Sequence, residues 1–110
     1  LGTILQDIGK RKEAEISYRK AIELQPDFTN AYCNLGNILK DLGKLKEAEI
    51  SYRKAIKLQP NFADTYSNLG KILRDLGKLK EARLCSEKIM SIRSWSILGS
   101  YSFNREMKLD

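Results

Sequence analysis

Asn34 and Asn68 stand 34 residues apart, each followed by Leu-Gly. An amide side chain carries two N–H donors and a carbonyl acceptor, so it pairs with any peptide backbone whatever the side chains on that peptide. A row of such amides at regular spacing holds an extended chain by its main chain. The other residue types argue against chemistry of the chain's own. There is no His, which removes His-based triads, the commonest general base and most catalytic zinc sites. Cys33 and Cys85 are 52 positions apart, without a Cys-x-x-Cys or a metal-ligating neighbour. Two reduced thiols account for them, which fits a cytoplasmic location better than an oxidising one. The sequence therefore predicts no catalytic residue, no metal and no cofactor.

What positions the two asparagines is an internal repeat, the first thing to seek in such a chain. Shifted by 34 positions, residues 1–28 match 35–62 at 22 of 28 places, and 29–48 match 63–82 at 14 of 20. Gly2, Gly36 and Gly70 align, as do Gly9, Gly43 and Gly77, and Ala14, Ala48 and Ala82. The only two prolines, Pro26 and Pro60, close two of the units. In the complete unit, Ala31, Leu35, Ile38, Leu39 and Leu42 recur at three- and four-residue steps, which predicts a helix from about Asn30 to Leu42. Gly43 ends it in the left-handed conformation that helix C-termini use. Leu45, Ala48, Tyr52, Ala55, Ile56 and Leu58 form the stripe of a second helix, which Gln59-Pro60 stops. So short a linker makes the pair antiparallel. Gly36, Ala48 and Ala55 are small where helices cross, because larger residues there would cost on the order of 1–3 kcal/mol by overpacking. Tyr18, Tyr32, Tyr52 and Tyr66 occupy packing positions and are assigned to the core.

The period of 34 and the pattern Tyr32…Leu35-Gly36…Leu39…Gly43…Ala48…Tyr52…Ala55…Pro60 resemble the tetratricopeptide repeat. The next unit repeats it as Tyr66…Leu69-Gly70…Leu73…Gly77…Ala82, and the first shows Leu1-Gly2…Leu5…Gly9…Ala14…Tyr18…Ala21…Pro26. The resemblance implies an all-α, right-handed solenoid of antiparallel helix pairs, about two and a half repeats long. Residues 1–28 would be a partial repeat (the second half of a first helix plus a second helix), 29–62 a complete one, and 63–94 one with a divergent second helix. After Ala82 the match collapses: only Lys88 of residues 83–96 equals its counterpart, while Ser86 replaces Tyr52 and Ser94 replaces Pro60. A helix to about Ile92 is still predicted by Leu84, Ile89 and Ile92. Residues 95–110, with Trp95, Ile97, Leu98, Tyr101, Phe103 and Met107, read as a terminal cap or the start of a following region. The chain opens at Leu1 rather than Met, the mark of an excised piece.

In stacked repeats of this kind the first helix of each unit lines the concave side. The resemblance places Asn30, Cys33, Asn34, Asn37, Lys40 and Asp41 there, then Asp64, Ser67, Asn68, Lys71, Arg74 and Asp75. From these we take Asn30, Asn34, Asn37, Lys40, Asp64, Asn68, Lys71 and Arg74 as the candidate peptide-binding residues. None is a large apolar residue, which disfavours an amphipathic helix on this face. The Asn-Leu-Gly triplets are similar to the repeats of O-linked N-acetylglucosamine transferases and of many bacterial repeat proteins. In the former an asparagine ladder holds peptide backbone, and Asn34 and Asn68 are the matching positions. The carboxylate clamp of chaperone-binding repeat domains fits poorly, because Thr3, Asp64 and Asn68 stand where Asn, Lys and Arg are required.

The net charge is +6, and it falls unevenly. Residues 1–28 are neutral, 29–62 and 63–96 carry +3 each, and 97–110 are neutral. A protein or peptide partner, acidic where it meets the later units, is the expectation. No run of five bases exists and no aromatics interleave with bases, so nucleic acid is not expected. No apolar run nears the roughly 18–20 residues that span a bilayer, nor is there a secretion leader, so no membrane is expected. The function read from this is a non-catalytic scaffold that binds an extended peptide on its concave face. The alternatives are the substrate-recruiting part of a larger enzyme, such as a glycosyltransferase, and a self-assembly module joined end to end through the truncated first repeat.

Overall fold

A computed structural model describes residues 2–93, all of whose regular structure is helical. The helices are α1 (Gly2–Leu24), α2 (Thr29–Asp41), α3 (Leu45–Leu58) and α4 (Ala63–Asp75), followed by α5 over residues 79–93. The segment 95–110, with its proposed role as a cap, lies outside the described residues. The bounds of α2, α3 and α4 fall within a residue or so of those expected. Gly43 and Gly77 carry φ of +80° and +79°. They end α2 and α4 in the same way: the Lys44 and Lys78 amides donate to the Leu39 and Leu73 carbonyls, both at 2.8 Å. The Gly43 and Gly77 amides donate to Lys40 and Arg74, both at 3.0 Å. This double bond across a left-handed residue satisfies carbonyls that a helix end would leave unpaired.

Consecutive helices pack antiparallel. α2 lies between α1 and α3, and α4 packs on α3 and touches α2. Leu35 and Leu39 of α2, Ala48 and Tyr52 of α3, Leu69, Ile72 and Leu73 of α4, and Ala82 and Cys85 of α5 form one continuous core. It is the all-α solenoid predicted. No helix of the described residues is long and apolar enough to cross a membrane.

The first unit departs from expectation. The repeat predicts a break at Gly9, yet α1 runs through it as one helix of 23 residues. Folding back at Gly9 would bring only about two turns of helix onto the segment that follows. Arg11 also stands where the next unit has Leu45, which packs on the core. With so little apolar surface to gain, the chain keeps its backbone hydrogen bonds and tolerates Gly9 inside the helix, at a cost of about 1 kcal/mol.

The repeats are also joined by charge. Glu15 accepts from Arg19 at 2.9 Å and from Lys44 of the next unit at 3.2 Å. Glu49, 34 residues on, accepts from Arg53 at 2.9 Å and Lys78 at 3.0 Å. The bond from Arg19 is the chief cause that holds Glu15 below the usual carboxylate range, with Lys44 adding to it against partial burial. At Glu49 partial burial is the largest single influence and pushes upward, but the bonds from Arg53 and Lys78 outweigh it. The bases are nearly half exposed, so each pair contributes modestly, roughly 0.2–1 kcal/mol. Position 83, the next in this series, is Arg.

Candidate functional site

The candidate residues are set by the spacing of α2 and α4. Asn30 and Asn34 are exposed on α2, with Lys40 half-buried at its end. Asp64, Lys71 and Arg74 are exposed on α4, with Asn68 half-buried between them. The structure thus leaves most of the predicted polar face open.

Asn37 has a different position. Its Oδ1 accepts from the Tyr52 hydroxyl of α3 and from Asn68 Nδ2 of α4, the latter at 3.5 Å. One carbonyl therefore ties together three helices of two repeats. Burial pushes the Tyr52 phenol far above its ordinary range, with the thiol of Cys33 and the carboxylate of Asp41 adding to the effect. The hydroxyl therefore stays protonated and keeps donating. Asn37 is a structural joint more than an open binding group. Asn68 spends one N–H on it and retains its carbonyl and its second N–H for a ligand. Asn34 makes no side-chain hydrogen bond among the described residues.

Cys33 needs correction. Placed on the open concave side by its register, it is buried in the structure, 9% exposed, with its thiol 3.2 Å from Thr65 Oγ1. Thr65 is itself 2% exposed. Ala31 holds the equivalent place in the preceding unit, so the only signal in the sequence was an Ala-to-Thr change between repeats. Both cysteines are free and buried. Of the four tyrosines assigned to the core, Tyr52 is fully buried, Tyr18 and Tyr66 pack on the core half-buried, and half-buried Tyr32 lines a surface groove.

The divergence of the last unit has a visible consequence. In the complete repeat the Tyr52 ring lies directly on Gly36. In the following one the aromatic is replaced by Ser86, and a cavity of about 350 Å³ opens beside Gly70, Arg74 and Ser86. No cluster of His, Cys, Asp or Glu among the described residues is arranged to hold a metal ion.

Family models of the tetratricopeptide repeat match the chain over residues 1–28, 17–50 and 62–94, and a TPR repeat model matches residues 36–77. Among solved structures, one described as the crystal structure of MamA is 25% identical, with a TM-score of 0.78 over 88% of this chain and 57% of that one. A second MamA structure, MSR-1 C2, is 26% identical, with a TM-score of 0.74 over 82% of this chain and 52% of that one. The D159K mutant of MamA is 26% identical, with a TM-score of 0.73 over 86% and 52%. The chain thus spans a little over half the length of these proteins. A search of curated proteins returns no match.

Proposed function

Starting from a chain whose residues 1–94 belong to the tetratricopeptide-repeat family, we propose that it is a non-catalytic scaffold that holds an extended protein segment along the α2–α4 face. The observation that carries this reading is the pair Asn34 and Asn68, one repeat apart, with Asn34 exposed and Asn68 keeping an unused carbonyl. Backbone bonds from this pair tolerate varied sequence, and Lys40, Lys71 and Arg74 add attraction for acidic side chains. Each such exposed charge contributes about 0.2–1 kcal/mol.

The test is capture of short unstructured peptides of unrelated sequence, followed by fluorescence anisotropy. At roughly 0.5–1.5 kcal/mol per hydrogen bond, Asn34→Ala with Asn68→Ala should weaken binding at least about tenfold and leave the helical circular-dichroism signal intact. Unchanged affinity in a folded double variant would remove this reading.

Self-association is a second reading, supported by a difference between equivalent residues. Tyr52 is fully buried under α2 and α4, whereas Tyr18 on α1 is only half-buried. A helix from another copy laid on α1 would complete its burial. Sedimentation should then show mass rising with concentration, and a strict monomer at high concentration would exclude it.

A further inference from the structure

The face formed by the second helices carries a feature that the α2–α4 face lacks. Ile16, Ile50 and Leu84 recur every 34 residues and stand 68%, 67% and 61% exposed. Single exposed aliphatics are ordinary on a protein surface. These belong to a repeated series, and two of them edge a groove. The first groove is a cavity of about 650 Å³ between α1 and α3, with Leu35 at its floor and Ile22 and Ile50 on its walls. The second, about 430 Å³, lies between α3 and α5, with Leu69 at its floor and Ile56 and Leu84 on its walls. The apolar residues of the two grooves are the same three positions, one repeat apart. Both volumes lie in the range of about 300–1,000 Å³ that binding clefts occupy.

The rim is basic. Arg19, Arg53, Lys54 and Lys57 line the first groove against a single acid, Glu23. Arg53, Lys57 and Lys88 line the second against Glu81. Arg19 and Arg53 are engaged by Glu15 and Glu49. Lys54, Lys57 and Lys88 make no ion pair among the described residues. None of the eight candidate residues of the α2–α4 face lines either groove.

We infer that these two grooves form a second docking surface, which takes an acidic amphipathic helix of a protein partner. An aliphatic floor under a basic rim is the complement of a helix with apolar anchors at i, i+3, i+4 and i+7 and carboxylates on its flanks. Charge selects this occupant over the chain's own residues 97–110, where two bases balance two acids. Depth selects it over a bilayer. Leu35 and Leu69 are 4% and 2% exposed, so a narrow side chain reaches into the groove above them where a flat lipid surface does not. The surface acts independently of the asparagine row.

The probe is a labelled synthetic helix of about 16 residues, a length of about four turns, with Leu at the anchor positions and Glu elsewhere, titrated against the intact chain. Saturable binding is expected, falling at least about tenfold with Lys54→Glu plus Lys57→Glu and weakening steeply with salt. The same helix with Lys for Glu should not bind. Ile50→Ser, at an exposed site, should also weaken it, whereas Asn34→Ala with Asn68→Ala should leave it unchanged. Circular dichroism verifies that each variant is folded. The proposal is overturned if the acidic helix shows no saturable binding, if charge reversal leaves the affinity intact, or if phosphatidylserine vesicles bind where the helix does not. A photo-crosslinker at position 50 that joins residues 95–110 in the free chain would overturn it as well.

Discussion

Replacing Tyr52 with Ala is expected to lower stability by about 3–5 kcal/mol, the range found when a large buried aromatic is cut back in a core. The side chain is 0% exposed. Its ring lies on Gly36 of α2, and its hydroxyl donates to Asn37, which Asn68 of α4 also reaches. The substitution therefore leaves a hole where three helices meet. A domain of this size has a total stability on the order of 5–15 kcal/mol, so most of it is at stake. In a stacked array, where each unit leans on its neighbours, the loss separates the α1–α2 side from α4–α5. Urea denaturation followed by circular dichroism reads the effect. Tyr52→Phe isolates the hydroxyl, and at about 1–3 kcal/mol for an acceptor deprived of its donor it should cost less than half as much. A midpoint unmoved by Tyr52→Ala would mean that this ring does not hold the repeats together.

The second prediction concerns two glycines that the repeat makes equivalent. Gly36→Ala should destabilise by about 1–3 kcal/mol, while Gly70→Ala should be neutral or stabilise by up to about 1 kcal/mol through helix propensity. A Cβ at Gly36 would lie 2.6 Å from Tyr52 Cε1, 2.8 Å from Cδ1 and 2.9 Å from Cζ. That ring is enclosed on every side and has nowhere to move. A Cβ at Gly70 would meet Cys85 Cβ at 3.5 Å, an ordinary contact, because the ring's counterpart is Ser86. The coupling is directly measurable: in a Tyr52→Ala background the penalty of Gly36→Ala should vanish, since the atoms it collides with are gone. Equal effects at the two glycines would show that backbone conformation, and not the tyrosine, explains the motif.

Much of this architecture was legible in the chain. The 34-residue period, the spacing of Leu35, Ile38, Leu39 and Leu42, and the stop at Gln59-Pro60 located α2, α3 and α4 to within a residue or so, since each is a local signal with a local cause. Gly43 and Gly77 end helices as their spacing implied. Gly9 carries the same signal and does not, because a turn closes only when the segments on either side bury enough surface against each other. Arg11 in place of Leu45 weakens that closure. The register likewise put Cys33 and Asn37 on the open face, yet neighbouring helices claim both.

The placement of the candidate site divides along the same line. Which residues share a face of one helix follows from 3.6 residues per turn, so Asn34, Lys40, Lys71 and Arg74 could be assigned from order alone. Which of those faces stays open depends on how closely α2, α3 and α4 approach, and only packing decides it. That is why Asn37 became a joint and Asn34 a free amide. The basic grooves beside α3 arise in the same way. Ile50 and Leu84 are ordinary surface residues in their own helices, and they form binding walls only where a second helix lies alongside and a third supplies the floor.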